Sequence, residues 1–599
     1  MAGWMGQILR IDLSTEEATV EELDEELAKD YIGARGLGTK LFCDEVAPEV
    51  DPLSADNKLI FATGPLTGTA AVSASRYNVV TKSPLTGTIA ASNSGGYFPS
   101  EIKYAGYDVV IFEGEADRPV YILIDDGEVE IKPAEDLWGL TTLETDNQLR
   151  EEYGDGFKIS AIGPAGEQQV KFACIMNDRE RAAGRSGVGA VMGSKKIKAV
   201  MVRGSQGIKP ADRDEFKEVL RDCLTKIEES GVTNEGLPAL GTPVLVNIVN
   251  EHGNLPAENF QENVFDRAEK VSGEKLADEL LVKNKACAGC PIGCGRVTAL
   301  SSDKYEGFGE GPEYETIWAF GPDCGIDDLE AITKANYICN ELGLDTITMG
   351  TTIACAMEMY EEGIIDSDEI DLDLEFGNAE AMIEAVKLTG KKEGIGAKLA
   401  EGSKRVADSY GHPEYSMSSK KQEYPAYDPR GSQGMGLEYA TSNRGGCHVR
   451  GYLTSPEVLG IPEPVDPLTV EGKAELTKTF QDLTAVVDSS GICLFTTFAL
   501  GGEDIYKLLE AVTGAEYTQE EMMEAGERIW NLERQFNLEA GIGPDEDKLA
   551  KRLLEEPAPK GAAEGRVVEL DTMLAEYYEL RGWTPEGEIK EEKKEALGL

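Results

Sequence analysis

Short apolar runs alternate with turn-forming residues over positions 1 to about 208. Runs rich in β-branched side chains and bounded by Gly, Pro, Asp or Asn are typical of strands. Such runs lie at 6–13, 58–63, 77–81, 108–113, 120–125, 158–162 and 198–203. Few long helical patterns interrupt them, so this region is predicted to be a mostly β domain of one or two sheets.

Near Pro210 the spacing of apolar residues changes from two to three or four, the period of a helix. The clearest helical patterns cover 212–229, 276–282, 328–342, 379–389, 396–410, 471–487, 520–538 and 571–581, and 587–599 resembles a frayed terminal helix. A soft boundary near Ser416 divides this helical half of the chain into two parts. We therefore predict an α+β fold with a β-rich N-terminal base domain (1–208) and two mainly α-helical domains (209–415 and 416–599).

The charge of the chain is strongly acidic along its whole length. Asp and Glu total 110 of 599 residues against 58 Lys and Arg, which gives a formal net charge of −52. Such a surface repels phosphate, so nucleic acid is not an expected partner. A halophilic source is the preferred interpretation, because salt at 1 M screens repulsion beyond about 3 Å. A merely solvated acidic surface is the alternative.

Membrane and secretory signals are not expected in this chain. No apolar run reaches the length of about 18 residues that a membrane span requires, and the first residues lack the apolar core of a signal peptide. A reducing cytoplasm is therefore expected, where cysteines are free thiols or metal ligands. Without partners at ligand spacing, six are predicted to be small core residues: Cys43, Cys174, Cys223, Cys324, Cys339 and Cys355.

Three cysteines crowd one short loop, in which Cys287, Cys290 and Cys294 form the pattern C-x2-C-x3-C. Pro and Gly residues keep this loop from becoming a helix. A [4Fe–4S] cluster needs four thiolates, and Cys493 is the candidate for the fourth. A structural zinc site is the alternative, although zinc sites are usually built from two separated C-x2-C pairs. The reverse order, C-x3-C-x2-C, would instead indicate a radical enzyme using S-adenosylmethionine.

Two Gly-rich stretches in the β-rich region are candidates for binding anions. Residues 76–96 contain Arg76 and end in Asn93, Ser94, Gly95 and Gly96. Residues 181–196 combine four glycines with four basic side chains in an otherwise acidic chain. Backbone N–H groups at such turns approach anions closely. The second stretch is neither a Walker A loop nor G-x-G-x-x-G, so it indicates an anionic cofactor rather than a specific nucleotide.

A six-residue pattern, [DN]-x-x-G-[LI]-[DC], occurs at 340–345 and again at 488–493. Each copy follows a helical pattern, and its Gly stands where a helix C-cap is expected. One copy contains Asp345, and the other contains Asp488 and the candidate ligand Cys493. The repetition indicates a pair of matched sites whose acidic groups accept ring N–H donors of a flat heterocycle.

Candidates for proton transfer are one histidine and two glutamates. The chain has 3 His, of which only His448 lies in a Gly-rich loop flanked by Arg444 and Arg450. Histidine is a natural proton carrier. Glu313 and Glu315 are candidate carboxylate partners, and Cys447 is expected to be a packed thiol.

The order of these motifs resembles the tungsten-containing aldehyde:ferredoxin oxidoreductase family over nearly the whole length. The resemblance rests on 6–14, 75–78, 93–96, 181–185, 191–195, the cysteine loop, 311–315, both six-residue patterns and 441–445. In that family a β-rich base supports two pterins, and the α-rich domains cover the other side, with the cofactor at their interface. The resemblance implies aldehyde oxidation to carboxylic acids, with electrons passing to ferredoxin.

The resemblance also implies a role for particular residues. Tungsten would be held by the dithiolenes of both pterins, with molybdenum as an alternative, and Mg²⁺ would bridge the pterin phosphates near Asn93 and Ala183. Arg76 would bridge a pterin and the cluster, while Glu313 or Glu315 and His448 would line the substrate cavity as base and proton donor. The implied pterin-binding residues are Arg76, Asn93, Ser94, Gly95, Gly96, Arg181, Ala182, Ala183, Gly184, Arg185, Asn340, Gly343, Leu344, Asp345, Arg450, Gly451, Asp488, Ile492 and Leu494. The implied cluster ligands are Cys287, Cys290, Cys294 and Cys493.

The sequence departs from the family pattern at a few positions. Asn340 replaces the usual Asp of the first pattern, and Ile492 replaces the usual Leu of the second. The iron that bridges subunits in some members is not expected, because no His lies between 253 and 411, although a homodimer remains compatible with the sequence. Alternatives are a sister enzyme acting on formaldehyde or glyceraldehyde-3-phosphate, and a non-catalytic iron–sulfur carrier.

Overall fold

Two six-stranded sheets form the N-terminal part of the computed structural model, which describes residues 1–367 and 370–599. The first sheet has the order β2-β1-β6-β3-β4-β5, in which only β1 and β6 run parallel. Its strands are β1 (Gln7–Asp12), β2 (Glu17–Glu22), β3 (Leu59–Thr63), β4 (Tyr77–Lys82), β5 (Ile89–Ser94) and β6 (Val109–Glu113).

The second sheet has the order β11-β10-β9-β12-β7-β8, in which only β7 and β12 run parallel. Its strands are β7 (Val120–Asp125), β8 (Glu128–Pro133), β9 (Lys158–Ala161), β10 (Ile175–Asn177), β11 (Arg181–Ala183) and β12 (Ile197–Arg203). The two sheets share one apolar core, to which Phe61 and Val110 contribute from the first and Ile122 and Val200 from the second. Their edge strands β5 and β11 lie side by side.

All seven strands predicted from apolar patterning are present, so the prediction of a β-rich N-terminal region in an α+β fold is confirmed. Five strands lie outside the predicted segments: β2, β5, β8, β10 and β11. Strand β2 is exposed along its whole length at the edge of its sheet, and β10 and β11 have only three residues each, so these three carry little apolar pattern. The prediction that few long helices interrupt this region was incomplete. The helices here are α1 (Glu25–Tyr31), α2 (Ala34–Glu45), α3 (Phe98–Tyr104), α4 (Thr142–Tyr153), α5 (Pro164–Glu167) and α6 (Val188–Ser194).

After residue 208 the described chain is mainly helical. The helices are α7 (Arg213–Glu229), α8 (Leu237–Leu240), α9 (Leu245–Glu251), α10 (Gly273–Glu279), α11 (Tyr314–Phe320), α12 (Leu329–Leu342), α13 (Thr346–Glu361), α14 (Ala379–Lys391), α15 (Gly396–Leu399), α16 (Ser403–Ser409), α17 (Gln433–Thr441), α18 (Lys473–Ser490), α19 (Gly502–Thr513), α20 (Gln519–Glu539), α21 (Lys551–Glu555), α22 (Leu570–Arg581) and α23 (Glu591–Leu597). The strands are β13 (Leu281–Lys285), β14 (Gly295–Ser301) and β15 (Glu306–Glu310), which form a three-stranded sheet, and the short pair β16 (Ser418–Ser419) and β17 (Gln422–Glu423).

Two helix predictions in this half were wrong in detail. The segment 276–282 contains the end of α10 and the start of β13, because the chain turns into a strand that pairs with β14. The segment 396–410 is two short helices rather than one, since Gly402, at a φ of 86°, interrupts the pattern. Helix α13 was not predicted because it is buried on nearly all sides and carries no polar face.

Two helices end on the two sheets in matching ways. Helix α12 ends at Gly343 in a left-handed conformation, and the Gly343 carbonyl accepts from the N–H of Cys174 beside the second sheet at 2.9 Å. Helix α18 ends at Gly491 in the same conformation, and the Gly491 carbonyl accepts from the N–H of Arg76 beside the first sheet at 3.1 Å. Both helix C-caps predicted from the repeated pattern are confirmed, and each copy of the pattern docks on one sheet.

Within 1–367 and 370–599, no helix combines the length and apolar content needed to cross a bilayer.

Candidate active site

The cysteine loop connects the antiparallel strands β13 and β14 and contains two glycines in left-handed conformation, Gly289 at a φ of 64° and Gly293 at 63°. No helix forms between the strands, as the Pro and Gly content predicted. Cys493 follows helix α18 and faces the loop. The four sequence-predicted ligands border one pocket: Cys287, Cys290, Cys294 and Cys493.

The four thiols border one small pocket, an arrangement that is compatible with an iron–sulfur cube. Two donors already point at the sulfurs: Ser73 Oγ lies 3.2 Å from Cys290 Sγ, and an Arg76 N–H reaches Cys493 Sγ at 2.9 Å.

Arg76 connects the cysteine pocket to strand β5. Its second terminal nitrogen donates to Asn93 Oδ1 at 3.2 Å, so one guanidinium contacts both predicted binding elements. The adjacent Gly95 is needed for this close approach, because an added Cβ would lie 3.1 Å from both Arg76 Nε and Cys287 Sγ. Gly96 then accepts from the N–H of Ala288 at 3.1 Å, which ties the strand to the cysteine loop.

A cavity of about 310 Å³ opens beside this pocket, between the two sheets and the helical half. Sequence-predicted residues that line it are Arg76, Ser94, Gly95, Arg181, Ala182, Gly184, Cys294, Glu313, Glu315, Asn340, Leu344, Asp345 and His448. The structure thus brings together residues from all three parts of the chain. The cysteine pocket and the cavity share Arg76, Cys294 and Phe495.

Glu315 and His448 form a pair at the cavity wall, with Glu315 Oε1 3.4 Å from His448 Nε2 and side chains only 13% and 14% exposed. Burial raises the pKa of Glu315 to about 8, only partly offset by the N–H of Ala426. Burial, together with the nearby Arg185 and Arg444, lowers the pKa of His448 well below its ordinary value. The pair therefore holds a neutral carboxyl and a neutral imidazole near neutral pH.

Two buried atoms of this pair make no hydrogen bond. Glu315 Oε1 forms none although it lies 3.4 Å from His448 Nε2, and His448 Nδ1 forms none either. Leaving a buried polar atom unsatisfied costs about 1–3 kcal/mol, so such atoms are expected where a ligand supplies the partner. The predicted role of His448 as proton donor and glutamate as base is the reverse of what these pKa directions favour.

Glu313 occupies a different environment from Glu315, two residues away. It stands at the start of helix α11, its side chain is 41% exposed, and one of its oxygens accepts a short hydrogen bond from Thr242 Oγ1. Arg181 approaches Glu313 at 3.8 Å but lies closer to Glu310, at 2.6 Å. Burial raises the pKa of Glu310 to about 7, so a second partly neutral carboxyl borders the cavity.

The first copy of the repeated pattern lies on the cavity wall. Asp345 caps helix α13 by accepting from the N–H of Ile347 at 3.2 Å, and its other oxygen accepts from Thr348 at 2.8 Å and lies 3.2 Å from Arg185 Nε. Asn340 and Leu344 also line the cavity. Gly343 does not line it, and it forms the C-cap of helix α12 between them.

The second copy lies behind Arg76 rather than on the cavity surface. Asp488 accepts from Arg450 at 2.5 Å and from the Asn93 amide at 3.4 Å. Burial and the neighbouring arginines lower the pKa of Arg450 to about 9. Gly451 donates its N–H to buried Glu438. Predicted residues that do not line the cavity are Asn93, Gly96, Ala183, Arg185, Gly343, Arg450, Gly451, Asp488, Ile492 and Leu494.

The basic stretch 181–196 does not act as one unit. Arg181 lines the cavity and pairs with Glu310, whereas Arg185 does not line it, pairs with Asp345 and donates to the carbonyl of Glu423 at 2.8 Å. Lys195 instead donates to backbone carbonyls such as that of Gly114 at 2.9 Å, and burial lowers its pKa to about 8. Lys196 pairs with Glu115 at 2.9 Å. Of the four basic side chains of this stretch, only Arg181 therefore lines the cavity.

Several residues around the cavity carried no signal in the sequence. Tyr427 and Tyr452 flank the His448 ring, with centroids 5.7 and 6.1 Å away. A buried Arg35–Glu533 ion pair at 2.8 Å supports Asp488 from the far side. Cys447 is buried as expected. Burial alone would raise the pKa of its thiol, but the positive charges of Arg444, Arg450 and Arg185 outweigh this effect and lower the pKa.

Comparisons with known proteins place these features in context. A family model described as the N-terminal domain of aldehyde ferredoxin oxidoreductase matches residues 8–204, and one described as domains 2 and 3 of the same enzyme matches 218–599. The tungsten-containing aldehyde ferredoxin oxidoreductase of Pyrococcus furiosus is 53% identical over all of this chain and 99% of that protein. The protein of the same name from Thermococcus kodakarensis is 51% identical, with the same coverage.

A solved structure has the same overall fold. The active-site complex BamBC of benzoyl coenzyme A reductase, bound to 1,5-dienoyl-CoA, superimposes with a TM-score of 0.86 at 25% identity. The match covers 100% of this chain and 97% of that chain.

Proposed function

Because the chain belongs to the aldehyde ferredoxin oxidoreductase family, we propose that it oxidises aldehydes to carboxylic acids at a tungsten bis-pterin centre and passes the electrons to ferredoxin. The observation that carries this proposal is one cavity in which the buried Glu315–His448 pair faces residues of the first repeated pattern and a cysteine of the cluster pocket. We also propose that the chain is divided into three domains, 1–208, 209–415 and 416–599.

The residues that would hold the cofactors follow from the contacts. Cys287, Cys290, Cys294 and Cys493 would bind the [4Fe–4S] cluster, since they border one pocket. One pterin would be bound by the first copy of the pattern with Arg181 and Arg185, and the other by the second copy with Asn93 and Arg450. Mg²⁺ would be held by backbone carbonyls near Asn93 and Ala183, which lie on the adjacent edge strands β5 and β11.

When bound, the tungsten bis-pterin supplies the two-electron acceptor, and the cluster supplies the relay toward ferredoxin. Oxidation of RCHO with H₂O yields RCOOH, two protons and two electrons. The protein must therefore polarise the aldehyde carbonyl and remove protons. Neutral Glu315 can donate a hydrogen bond to the aldehyde oxygen, and neutral His448 can accept a proton from the attacking water.

The cavity walls indicate the class of substrate. Tyr314, Tyr427, Tyr452 and Phe495 provide aromatic surface, which suits an uncharged aldehyde. The arginines that line the cavity are Arg76 and Arg181. Arg76 already donates to Cys493 and Asn93, and Arg181 is paired with Glu310. A phosphorylated aldehyde would find few free cations and the carboxylates of Glu180, Glu310 and Glu313 nearby, so the glyceraldehyde-3-phosphate alternative is disfavoured.

The test combines metal analysis with an aldehyde panel. Protein produced with both tungstate and molybdate is analysed for tungsten, molybdenum and iron, and then assayed for aldehyde-dependent reduction of a viologen dye. Tungsten, about four iron atoms per chain and reduction by uncharged aldehydes support the proposal. A protein that contains iron but neither heavy metal, and that reduces no dye with any aldehyde, would be a non-catalytic electron carrier.

A further inference from the structure

We propose that protons released in the cavity reach solvent through the buried carboxyl of Glu423 and a chain of three hydroxyl groups. These hydroxyls belong to Ser403, Ser416 and Ser418, called here the serine chain. The inference rests on the proposed function, because aldehyde oxidation releases protons in the cavity that must leave before the next turnover.

The serine chain is hydrogen-bonded without a break from Glu423 to the surface. Ser403 Oγ donates to Glu423 Oε1 at 2.9 Å and lies 2.8 Å from Ser416 Oγ. Ser416 Oγ in turn lies 2.8 Å from Ser418 Oγ. The first three groups are buried, whereas Ser418 is partly exposed. Because a hydroxyl both donates and accepts, each serine can take a proton on one side and pass its own to the other.

Glu423 has a second carboxyl oxygen that is not part of the serine chain. This oxygen, Oε2, is buried and makes no hydrogen bond. Burial raises the pKa of Glu423, partly offset by its own backbone N–H, by Arg185 and by Ser403. Cys355 on helix α13 and Arg405 on helix α16 also interact with its charge. The carboxyl can therefore take up a proton at Oε2 as it releases one from Oε1 to Ser403.

Thr348 and Arg185 connect Glu423 to the cavity. Asp345 lines the cavity, and its Oδ2 accepts from Thr348 Oγ1 at 2.8 Å. Arg185 Nη2 lies 3.5 Å from Thr348 Oγ1, and it donates to the backbone carbonyl of Glu423 at 2.8 Å. Thr348 and Glu423 are therefore neighbours that contact the same guanidinium nitrogen. The charge of this guanidinium is balanced by Asp345, which lies 3.2 Å from Arg185 Nε.

A second threonine of helix α13 is placed to complete this connection. Thr348, Thr352 and Cys355 are spaced by four and three positions, so they share one face of the helix. Strand β17, which carries Glu423, packs against this helix. Thr352 Oγ1 is buried and makes no hydrogen bond. Buried polar atoms of this kind are usually satisfied by ordered water, and a water shared by Thr352 Oγ1 and Glu423 Oε2 would join the cavity to the serine chain.

The proposed path conserves charge. One proton enters at Asp345 for each proton that Ser418 gives to solvent, and every group between them is returned to its starting state. The path begins beside the acid–base pair, because Asp345 and Glu315 both line the cavity and the charge of Asp345 acts on Glu315. His448, whose side chain is 14% exposed, is thereby returned to its neutral, proton-accepting form after each turnover.

The experiment uses the holoenzyme and interrupts the path at single groups. Ser403→Ala and Glu423→Gln each remove one exchangeable group, and Ser403→Thr keeps the hydroxyl. Ser419→Ala is the matched control. Ser419 is a buried serine of the same hairpin, and its Oγ bonds to Tyr424 and to the carbonyl of Lys548, outside the path. Aldehyde-dependent reduction of a viologen dye is measured in H₂O and in D₂O, with tungsten and iron content determined for each variant.

The expected result is a fall in kcat of about 10²-fold in Ser403→Ala and Glu423→Gln, the lower end of the usual contribution of a positioned proton-transfer group. The KM for aldehyde stays unchanged, and the solvent isotope effect on kcat rises because proton transfer becomes limiting. Ser403→Thr and Ser419→Ala behave as the original protein does. If Glu423→Gln does not fold, Ser403→Ala and Ser403→Thr decide the question.

Three outcomes would overturn the path while leaving the proposed function intact. The first is a kcat and an isotope effect in Ser403→Ala equal to those of Ser419→Ala. The second is an equal loss in Ser403→Ala and Ser403→Thr, which would show that packing rather than the hydroxyl matters. The third is loss of tungsten or iron from Ser403→Ala, which would assign the serine to cofactor retention. Failure of the unaltered holoenzyme to reduce the dye with any aldehyde would instead refute the proposed function itself.

Discussion

The guanidinium of Arg76 lies 2.9 Å from the sulfur of Cys493, although the two residues are 417 positions apart in the chain. The same side chain donates to Asn93 at 3.2 Å. Arg76 therefore supplies a buried positive charge between the cysteine pocket and strand β5, and it links the proposed cluster site to the proposed pterin site.

Replacing Arg76 by Gln is expected to lower the reduction potential of the proposed cluster. The positive charge favours the more negative, reduced form, and its effect is strong because the site is buried. Turnover with ferredoxin should fall about tenfold, which corresponds to about 1.4 kcal/mol. Redox titration followed by electron paramagnetic resonance measures the shift. Arg76→Lys keeps the charge and should retain most of the potential, and an unchanged potential in Arg76→Gln would contradict this role.

Removing the proton-transfer groups should slow turnover without loss of metal. Glu315→Gln and His448→Asn are expected to reduce kcat by about 10²–10⁴-fold, the usual contribution of a positioned acid or base. Glu313→Gln is the matched control and should have a smaller effect, because Glu313 is 41% exposed. Steady-state assays with tungsten and iron content measured on each variant provide the test. Normal turnover of fully loaded His448→Asn would remove this residue from the mechanism.

The activity is expected to depend on pH through Glu315. Its pKa of about 8 in the folded protein means that the neutral, hydrogen-bond-donating form is lost as the pH rises past 8, so kcat/KM should decline there. Because the pKa of His448 is lowered, no decline near pH 6.5 is expected from its protonation. The pH profile of kcat/KM checks both statements, and in Glu315→Gln the decline above pH 8 should disappear.

The same shift affects stability with a definite sign. The folded pKa of Glu315 lies above the ordinary value of 4.5, so between these values the folded protein holds a proton that the unfolded chain has released. The free energy of unfolding should therefore decrease from this group as the pH rises from about 4.5 to 8. Comparing denaturant unfolding of the original protein and Glu315→Gln at several pH values isolates the contribution. A parallel pH dependence in both proteins would argue against the raised pKa.

Loss of Cys493 should prevent assembly of the proposed cluster. Cys493→Ser removes one of four thiols bordering the pocket, and the iron content should fall well below that of the original protein because a cube needs all its ligands. Cys43→Ser is the control, since Cys43 lies outside the pocket. Iron analysis and the absorbance of the cluster distinguish the two variants. Retention of zinc rather than iron by the original protein would favour the alternative of a zinc site.

The acidic charge predicts stabilisation by salt. A formal charge of −52 makes the compact state repel itself, and screening of this repulsion should raise the thermal midpoint when KCl is increased from 0.1 to about 1 M. Thermal unfolding at both salt concentrations measures the effect. Identical midpoints would indicate that the acidity is only a solvated surface, and the halophilic interpretation would then be abandoned.

Local sequence was sufficient for features that depend on neighbouring residues. The spacing of Cys287, Cys290 and Cys294, with Pro and Gly between them, predicted a non-helical loop with converging thiols. Three thiols within eight residues lie close together irrespective of how the distant parts of the chain fold. Gly343 and Gly491 could be recognised as helix caps because only glycine adopts the left-handed conformation at little cost. Seven strands were predictable from their apolar patterns, whereas the exposed edge strand β2 and the three-residue strands β10 and β11 were not.

The choice between Glu313 and Glu315 could not be made from the sequence. Both residues flank Tyr314 at the start of helix α11, and no local rule separates two carboxylates in such positions. Their different environments arise from the rest of the chain, since Thr242 and Arg181 approach Glu313 while Ala426 and His448 enclose Glu315. The aromatic surface from Tyr427 and Tyr452 also escaped prediction, because isolated tyrosines carry no spacing signal.

By itself, the sequence determined the α+β order of the chain, the cysteine loop, the two helix caps and the acidic character, since periodicity, ligand spacing and charge are properties of neighbouring residues. The tertiary structure brings Cys493 and Arg76, both already candidates from the sequence, to the cysteine pocket, and it alone decided that Glu315 rather than Glu313 is buried with His448. The reason is that burial and charge pairing depend on which distant segments pack together, and these set the pKa values on which the chemistry depends.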